Sequence, residues 1–210
     1  MRAVSRPKGE RGRRTRRQLL DAAEAAFGSR GYFETSVTDI TRRAGVAQGT
    51  FYVYFPSKRA VFAELVRERS RDVRRTIQEA IRGTTDRREA ERLGFEAFFR
   101  YIHRHRRMYR IVRQAEFVDP GLFRWYYRRF ADGYVRGLRE GMRRGEVRSI
   151  NPEVLAYCLM GIGDFLGMRW VLWEKDGPRP AIVNSMMDFM LRGLDAGVPT
   201  GRPRRDGRSG

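Results

Sequence analysis

The stretch VAQGTFYVYFPSK, residues 46–58, gathers polar-tipped side chains on a segment barely two helical turns long. Gln48 carries an amide that can pair bidentately with adenine, Thr50 offers a hydroxyl to a base or phosphate, and Tyr52 can contact a base edge or a backbone oxygen. Tyr54 and Lys58 follow where phosphates would be met. Gly49 removes a side chain from a surface that must approach a duplex closely, a gain that offsets its helix-propensity cost of about 0.8–1.0 kcal/mol. Phe51 and Phe55, four residues apart, share one inward face and are expected in the core. A core helix of this length would carry a Leu, Ile and Val stripe, whereas tyrosine hydroxyls need wet or polar partners. The chemistry implied is recognition of a double helix.

Bond-breaking chemistry finds little support. Cys158 lies in an apolar run, the only histidines are His103 and His105, and nothing shows metal or nucleophile spacing. No catalytic residue, metal or cofactor is expected. The chain of 210 residues carries a formal charge of +19, which points toward polyanions. Nearly all of that charge is arginine, lysine occurring only at 8, 58 and 175. Residues 1–17 hold eight basic side chains against Glu10, whereas residues 18–58 hold four of each sign and cancel. Arg13, Arg14, Arg16 and Arg17 can therefore lie along phosphates or reach a minor groove. A single cysteine excludes an internal disulfide framework and suits a reducing compartment. The opening residues lack a signal-peptide pattern, so a cytoplasmic location is expected. The apolar run 154–173 approaches membrane-span length, but Asp164, Arg169 and three glycines interrupt it. It reads as a buried helix of a soluble protein, with no membrane partner.

Apolar residues recur at three- and four-residue spacing with no sustained alternation, so the fold class is all-α. Thr15 and Gln18 have capping-box spacing for a first helix ending near Gly31, and Ser36 and Asp39 repeat it for a second through Ala44. Gly45 suits the left-handed turn that follows. A third helix over 48–54 must end before Pro56, and Ser57 can cap a long fourth until the break at 82–87. Further helices are expected at about 88–105, 107–117, 120–144, 152–174 and 179–195. Two short helices joined by a tight glycine turn, the second polar and aromatic, are the plan of a helix-turn-helix.

At these residues the sequence resembles the TetR family of bacterial transcriptional repressors. LLDAAEAAFGSRGYFETSVTDITRRAGVAQGTFYVYFPSKRAVF matches that family's first four helices without a gap, and the likeness spans roughly Thr15 to Leu65. The resemblance implies a homodimer whose N-terminal domains read a palindromic operator and whose larger C-terminal domain binds an inducer. By position it implies base or mixed contacts from Gln48, Thr50 and Tyr52 and phosphate contacts from Thr38, Tyr54 and Lys58, alongside Gly49, Arg14 and Arg17. Two residues depart from the family pattern: Ala47 stands where a Ser or Thr often caps the recognition helix, and Arg59 replaces a frequent glutamate. The expected organisation is a disordered basic arm (1–14), a three-helix helix-turn-helix domain (15–57), a helical ligand-binding and dimerisation domain (58–197) and a disordered tail (198–210).

The second block concentrates aromatics over 95–134. Phe98, Phe99, Ile102, Tyr109, Phe117, Phe123, Tyr126, Tyr127 and Phe130 are candidates to line an apolar cavity between bundle helices. Arg113, among Arg104, Arg106, Arg107, Arg110, Arg124, Arg128 and Arg129, could meet an anionic group, which suits an amphiphile such as an acyl-CoA or an aromatic acid. Asp164, alone in GIGDFLG, needs a partner or a proton: an arginine, the dimer seam or the ligand. The last two helices carry apolar residues around much of their circumference, including Leu155, Leu159, Ile162, Leu166, Ile182, Met186, Phe189 and Met190. Covering them calls for a second copy. The competing expectation is a ligand-independent architectural DNA-binding protein.

Overall fold

A computed structural model describes residues 9–177 and 179–194, and all regular structure among them is helical. The helices are α1 (Glu10–Arg30), α2 (Val37–Ala44), α3 (Gln48–Tyr54), α4 (Lys58–Ala80), α5 (Arg87–Arg104), α6 (Arg106–Val118), α7 (Pro120–Arg143), α8 (Pro152–Gly167) with a π-helical extension (Met168–Trp173), and α9 (Pro180–Leu194).

α1 begins five residues before Thr15, whose hydroxyl sits inside the helix and donates to the Arg11 carbonyl at 3.0 Å. Residues 10–14 are therefore helix and not a disordered arm. Glu10 in the first turn complements the helix dipole, and Arg16 and Arg17 lay the helix against α4 through Glu64 at 2.9 Å and Glu68 at 2.8 Å. Residues 1–8 and the expected tail at 198–210 lie outside the described residues.

The second helix starts on a full capping box. The Ser36 hydroxyl accepts from the Asp39 N–H at 3.0 Å, and the Asp39 carboxylate accepts from the Ser36 N–H at 2.9 Å. Gly45 closes α2 at φ 68°, a left-handed geometry that costs glycine nothing. Ala47 then starts α3 without a side-chain cap, while Ser57 caps α4 by accepting from the Ala60 N–H at 3.1 Å.

Two hydrophobic cores result. The first joins Leu19, Ala23 and Phe27 of α1, Ile40 of α2, Phe51 of α3, and Val61, Phe62, Leu65 and Val66 of α4 to Met108, Ile111 and Ala115 of α6. The second joins Phe95, Phe99 and Ile102 of α5 to Leu138 of α7, Leu155 and Leu159 of α8, and Met186 and Met190 of α9. α4 thus roots its N-terminal half in the first core and packs its remainder against α5 and α7. The run Pro152–Trp173 is long and apolar enough to cross a bilayer by length and composition. In the fold, however, it buries Leu155, Ala156, Leu159 and Gly163 against α5 and α7. Leu155, Leu159, Met186 and Met190, expected on a seam between copies, are instead buried within the protomer. The apolar surface left uncovered is a different set: Val154, Tyr157 and Phe165 on α8, Trp173 of the π-helical extension and Phe189 on α9.

Candidate DNA-binding surface and ligand cavity

α3 is pinned by Phe51 and Phe55, both fully or nearly fully buried, as their spacing predicts. The opposite face is open: Gln48 and Gly49 are exposed, Tyr52 is 52% exposed and Val53 61%. Val53 was not among the expected contacts, yet it follows Tyr52 directly and offers the apolar surface that a thymine methyl group takes. Thr50 is half-buried, and Tyr54 leans partly onto the first core. Thr38 on α2 and Arg14 on α1 are exposed.

Two expected phosphate ligands are engaged within the protein. Arg17 is held by Asp21 at 3.0 Å and by Glu68 at 2.8 Å, so its charge is matched by carboxylates of α1 and α4. Lys58 turns inward. Its ammonium donates to the carbonyls of Tyr32 at 2.9 Å and Thr35 at 2.8 Å and lies 4.3 Å from the centre of the Tyr32 ring. Burial moves its pKa below the ordinary lysine value. The α1–α2 turn leaves those two carbonyls without helical partners, and the first residue of α4 is the cation within reach.

A cavity of about 370 Å³ opens between α4, α5, α6, α7 and α8. Phe98, Tyr109, Tyr126, Tyr127, Phe130 and Asp164 line it, as expected from sequence. Five candidates do not. Phe99 and Ile102 are buried in the second core, Phe123 packs against the first, and Phe117 is 75% exposed on the outside of α6. Arg113 approaches indirectly, its guanidinium 2.9 Å from the Asp164 carboxylate. The Tyr109 hydroxyl lies 2.8 Å from the same carboxylate, so Asp164 has both a cation and a donor. The sequence did not single out as cavity residues Arg74, Ile77 and Gln78 on α4, Ile81 at its C-terminal end, or Arg87 and Glu91 on α5, although all line the same space. Glu91 is 2% exposed, paired with Arg87 and accepting from the Tyr134 hydroxyl.

Residues 19–65 match the family described as bacterial regulatory proteins, tetR family. The fatty acid metabolism regulator protein of Bacillus subtilis is 25% identical over 183 residues, covering 84% of this chain and 94% of that protein. The transcriptional activator FasR of Mycolicibacterium smegmatis is 33% identical over 112 residues, 53% of this chain and 49% of that protein. The crystal structure of the regulator FadR from Bacillus subtilis in complex with stearoyl-CoA superposes with a TM-score of 0.76 at 22% identity, covering 85% of this chain and 98% of that one.

The N-terminal segment, residues 19–65, is of the tetR family.

These relatives carry the names of a fatty acid metabolism regulator and a transcriptional activator. The inward Lys58 makes a specific expectation. Lys58→Met is expected to lower stability by about 1–3 kcal/mol, because the buried Thr35 carbonyl loses its donor and the Tyr32 carbonyl keeps only the Thr35 N–H, and to leave the salt dependence of DNA binding unchanged. Urea unfolding and binding at several salt concentrations test both halves; unchanged stability with a shallower salt slope would return Lys58 to phosphate duty.

The cavity tyrosines set a pH limit. Burial raises the pKa of Tyr109, Tyr126, Tyr127 and Tyr134 above the ordinary tyrosine value, and Tyr101 nearby is pushed up to about 12. In the unfolded chain these phenols ionise near pH 10, while in the folded chain they stay neutral to higher pH. Their contribution is complete below about pH 10 and falls as pH rises through the folded values. The urea midpoint is expected to be level from pH 8 to 9.5 and to decline steeply by pH 11, with Tyr126→Phe reducing the slope.

Proposed function

We propose that this protein is a cytoplasmic, ligand-responsive transcriptional repressor. It binds a palindromic operator as a homodimer and is released by an amphiphilic inducer such as an acyl-CoA or an aromatic acid. The observation that carries the reading is the shared role of α4: Arg74, Ile77 and Gln78 line the cavity, while Val61, Phe62, Leu65 and Val66 hold the same helix in the core with α2 and α3. A ligand that fills the cavity acts on the helix that sets the position of α3. If it favours a DNA-incompetent arrangement, operator and ligand weaken each other by one factor, typically about 5–150-fold.

The uncovered apolar residues of α8 and α9 supply the surface for pairing two copies, and symmetric pairing places two α3 helices in successive major grooves, roughly 34–36 Å apart. The stearoyl-CoA complex of the B. subtilis neighbour and the fatty acid regulation in its relative's name support an acyl chain as the apolar part of the ligand. The test is footprinting on DNA flanking the protein's own gene, repeated with acyl thioesters and aromatic acids. A discrete palindrome lost on adding one of these compounds is the expected result. Random coverage would favour an architectural DNA-binding protein, and a palindrome insensitive to every compound would end the sensing reading.

A further inference from the structure

We infer that Arg74, Arg129 and Arg136 form an anion-binding subsite of the cavity that takes the negatively charged group of the ligand and leaves its apolar part to Phe95, Phe98 and Leu159. This rests on the cavity being the ligand site proposed above. Four arginines line the space, Arg74, Arg87, Arg129 and Arg136, against two carboxylates, Glu91 and Asp164. Both carboxylates are already matched, Glu91 by Arg87 and Asp164 by Arg113.

The other three cavity arginines are left in excess. Among the described residues, Arg74 is held by its own helix, its Nε donating to the Ser70 carbonyl at 2.9 Å, and it has no carboxylate within ion-pair distance. Among the same residues, Arg129 has only Asp132 at 3.9 Å, with both side chains more than half exposed, a separation at which an exposed pair contributes little. Among the described residues, Arg136 is drawn into no ion pair. Arg74 of α4 and Arg129 of α7 line the same cavity, and burial together with the like charge of Arg129 lowers the pKa of Arg74. Beside them, Arg87 keeps a buried Nε without a protein partner, and its side chain uses the space left by Gly137, where a Cβ would come within 2.6 Å of Nη1.

Unmatched like charges around a partly enclosed apolar space raise the local potential and attract an anion. Guanidinium groups also suit carboxylate and phosphate oxygens through their paired donors. Phe95 and Phe98 of α5 and Leu159 of α8 line the same cavity with apolar side chains. Orientation follows: charged group toward α4 and α7, chain toward α5 and α8. Because Arg74 and Arg129 stand on different helices, an anion between them ties α4 to α7 directly. Either the free carboxylate of a fatty acid or the phosphates of an acyl-CoA would supply the charge.

Isothermal titration of the full-length protein with dodecanoate, dodecanoyl-CoA and dodecan-1-ol separates these cases. At least one of the two anions is expected to bind about 10-fold or more tightly than the alcohol, and which one does identifies the source of the charge. Arg74→Gln and Arg129→Gln are each expected to remove most of that preference while leaving dodecan-1-ol affinity as it was. Arg129 is 54% exposed on its side chain, so its replacement leaves folding intact, and an unchanged thermal transition without ligand verifies this. Equal binding of alcohol and anions, or anion affinity untouched in both variants, overturns the subsite while sparing the cavity. Failure of all three compounds to bind overturns the amphiphile reading and the subsite with it.

Discussion

Glu91→Ala is expected to cost about 3–5 kcal/mol, because it strands a buried arginine. Glu91 is 2% exposed and Arg87 13% exposed; the carboxylate pairs with that guanidinium and accepts from the Tyr134 hydroxyl. Removing the acid leaves Arg87 enclosed beside Tyr134 and α7, with no carboxylate to offset its lost hydration. The sign depends on which partner is removed. Replacing both, as Arg87→Met with Glu91→Leu, takes away the charge together with its counter-charge and is expected to restore stability to near the starting value. Urea unfolding of the single and double variants gives the comparison. A Glu91→Ala protein as stable as the parent would mean that water reaches Arg87 and that the pair is structurally idle.

Phe62→Ala is the second large effect. Phe62 is fully buried and meets Phe27 edge-on at 5.6 Å and Tyr32 at 5.1 Å, so α4, α1 and the loop before α2 converge on one ring. Truncation removes the apolar transfer contribution and opens a void that rigid helices fill poorly, a loss of about 3–5 kcal/mol. For a chain of this size that corresponds to roughly a 10 °C drop in melting temperature. Operator binding is expected to weaken further than stability alone dictates, since α4 then no longer fixes the α2–α3 pair. Calorimetric melting and operator titration below the transition test the two parts separately. DNA affinity equal to the parent's at low temperature would show that α3 is positioned without α4.

The helix-turn-helix was legible because its signals are local. Ser36, Asp39, Gly45, Pro56 and Ser57 each fix a backbone choice within four residues, and Phe51 with Phe55 declares the buried face of α3. Thr15 misled for the same reason: it has a capping side chain, but Glu10 and the pairing of Arg16 and Arg17 with α4 extend α1 upstream. The cavity was legible only in part. Aromatic density pointed to the right helices, but which ring faces the hollow depends on how five helices cross. Phe117 therefore lies outside while Ile77 and Ile81, two ordinary members of a helical stripe, lie within. Glu91 was hidden more thoroughly, since a glutamate four residues after an arginine looks like a solvated helix pair until α7 covers it.

The inward position of Lys58 bears on covalent damage. Acyl thioesters spontaneously modify exposed amines, and lysine acetylation erases positive charge. Of 44 basic residues only three are lysines, and the one at the start of α4 has its amine tucked between two carbonyls and an aromatic ring. A cell rich in reactive thioesters would therefore leave the polyanion-binding charge of this chain almost untouched.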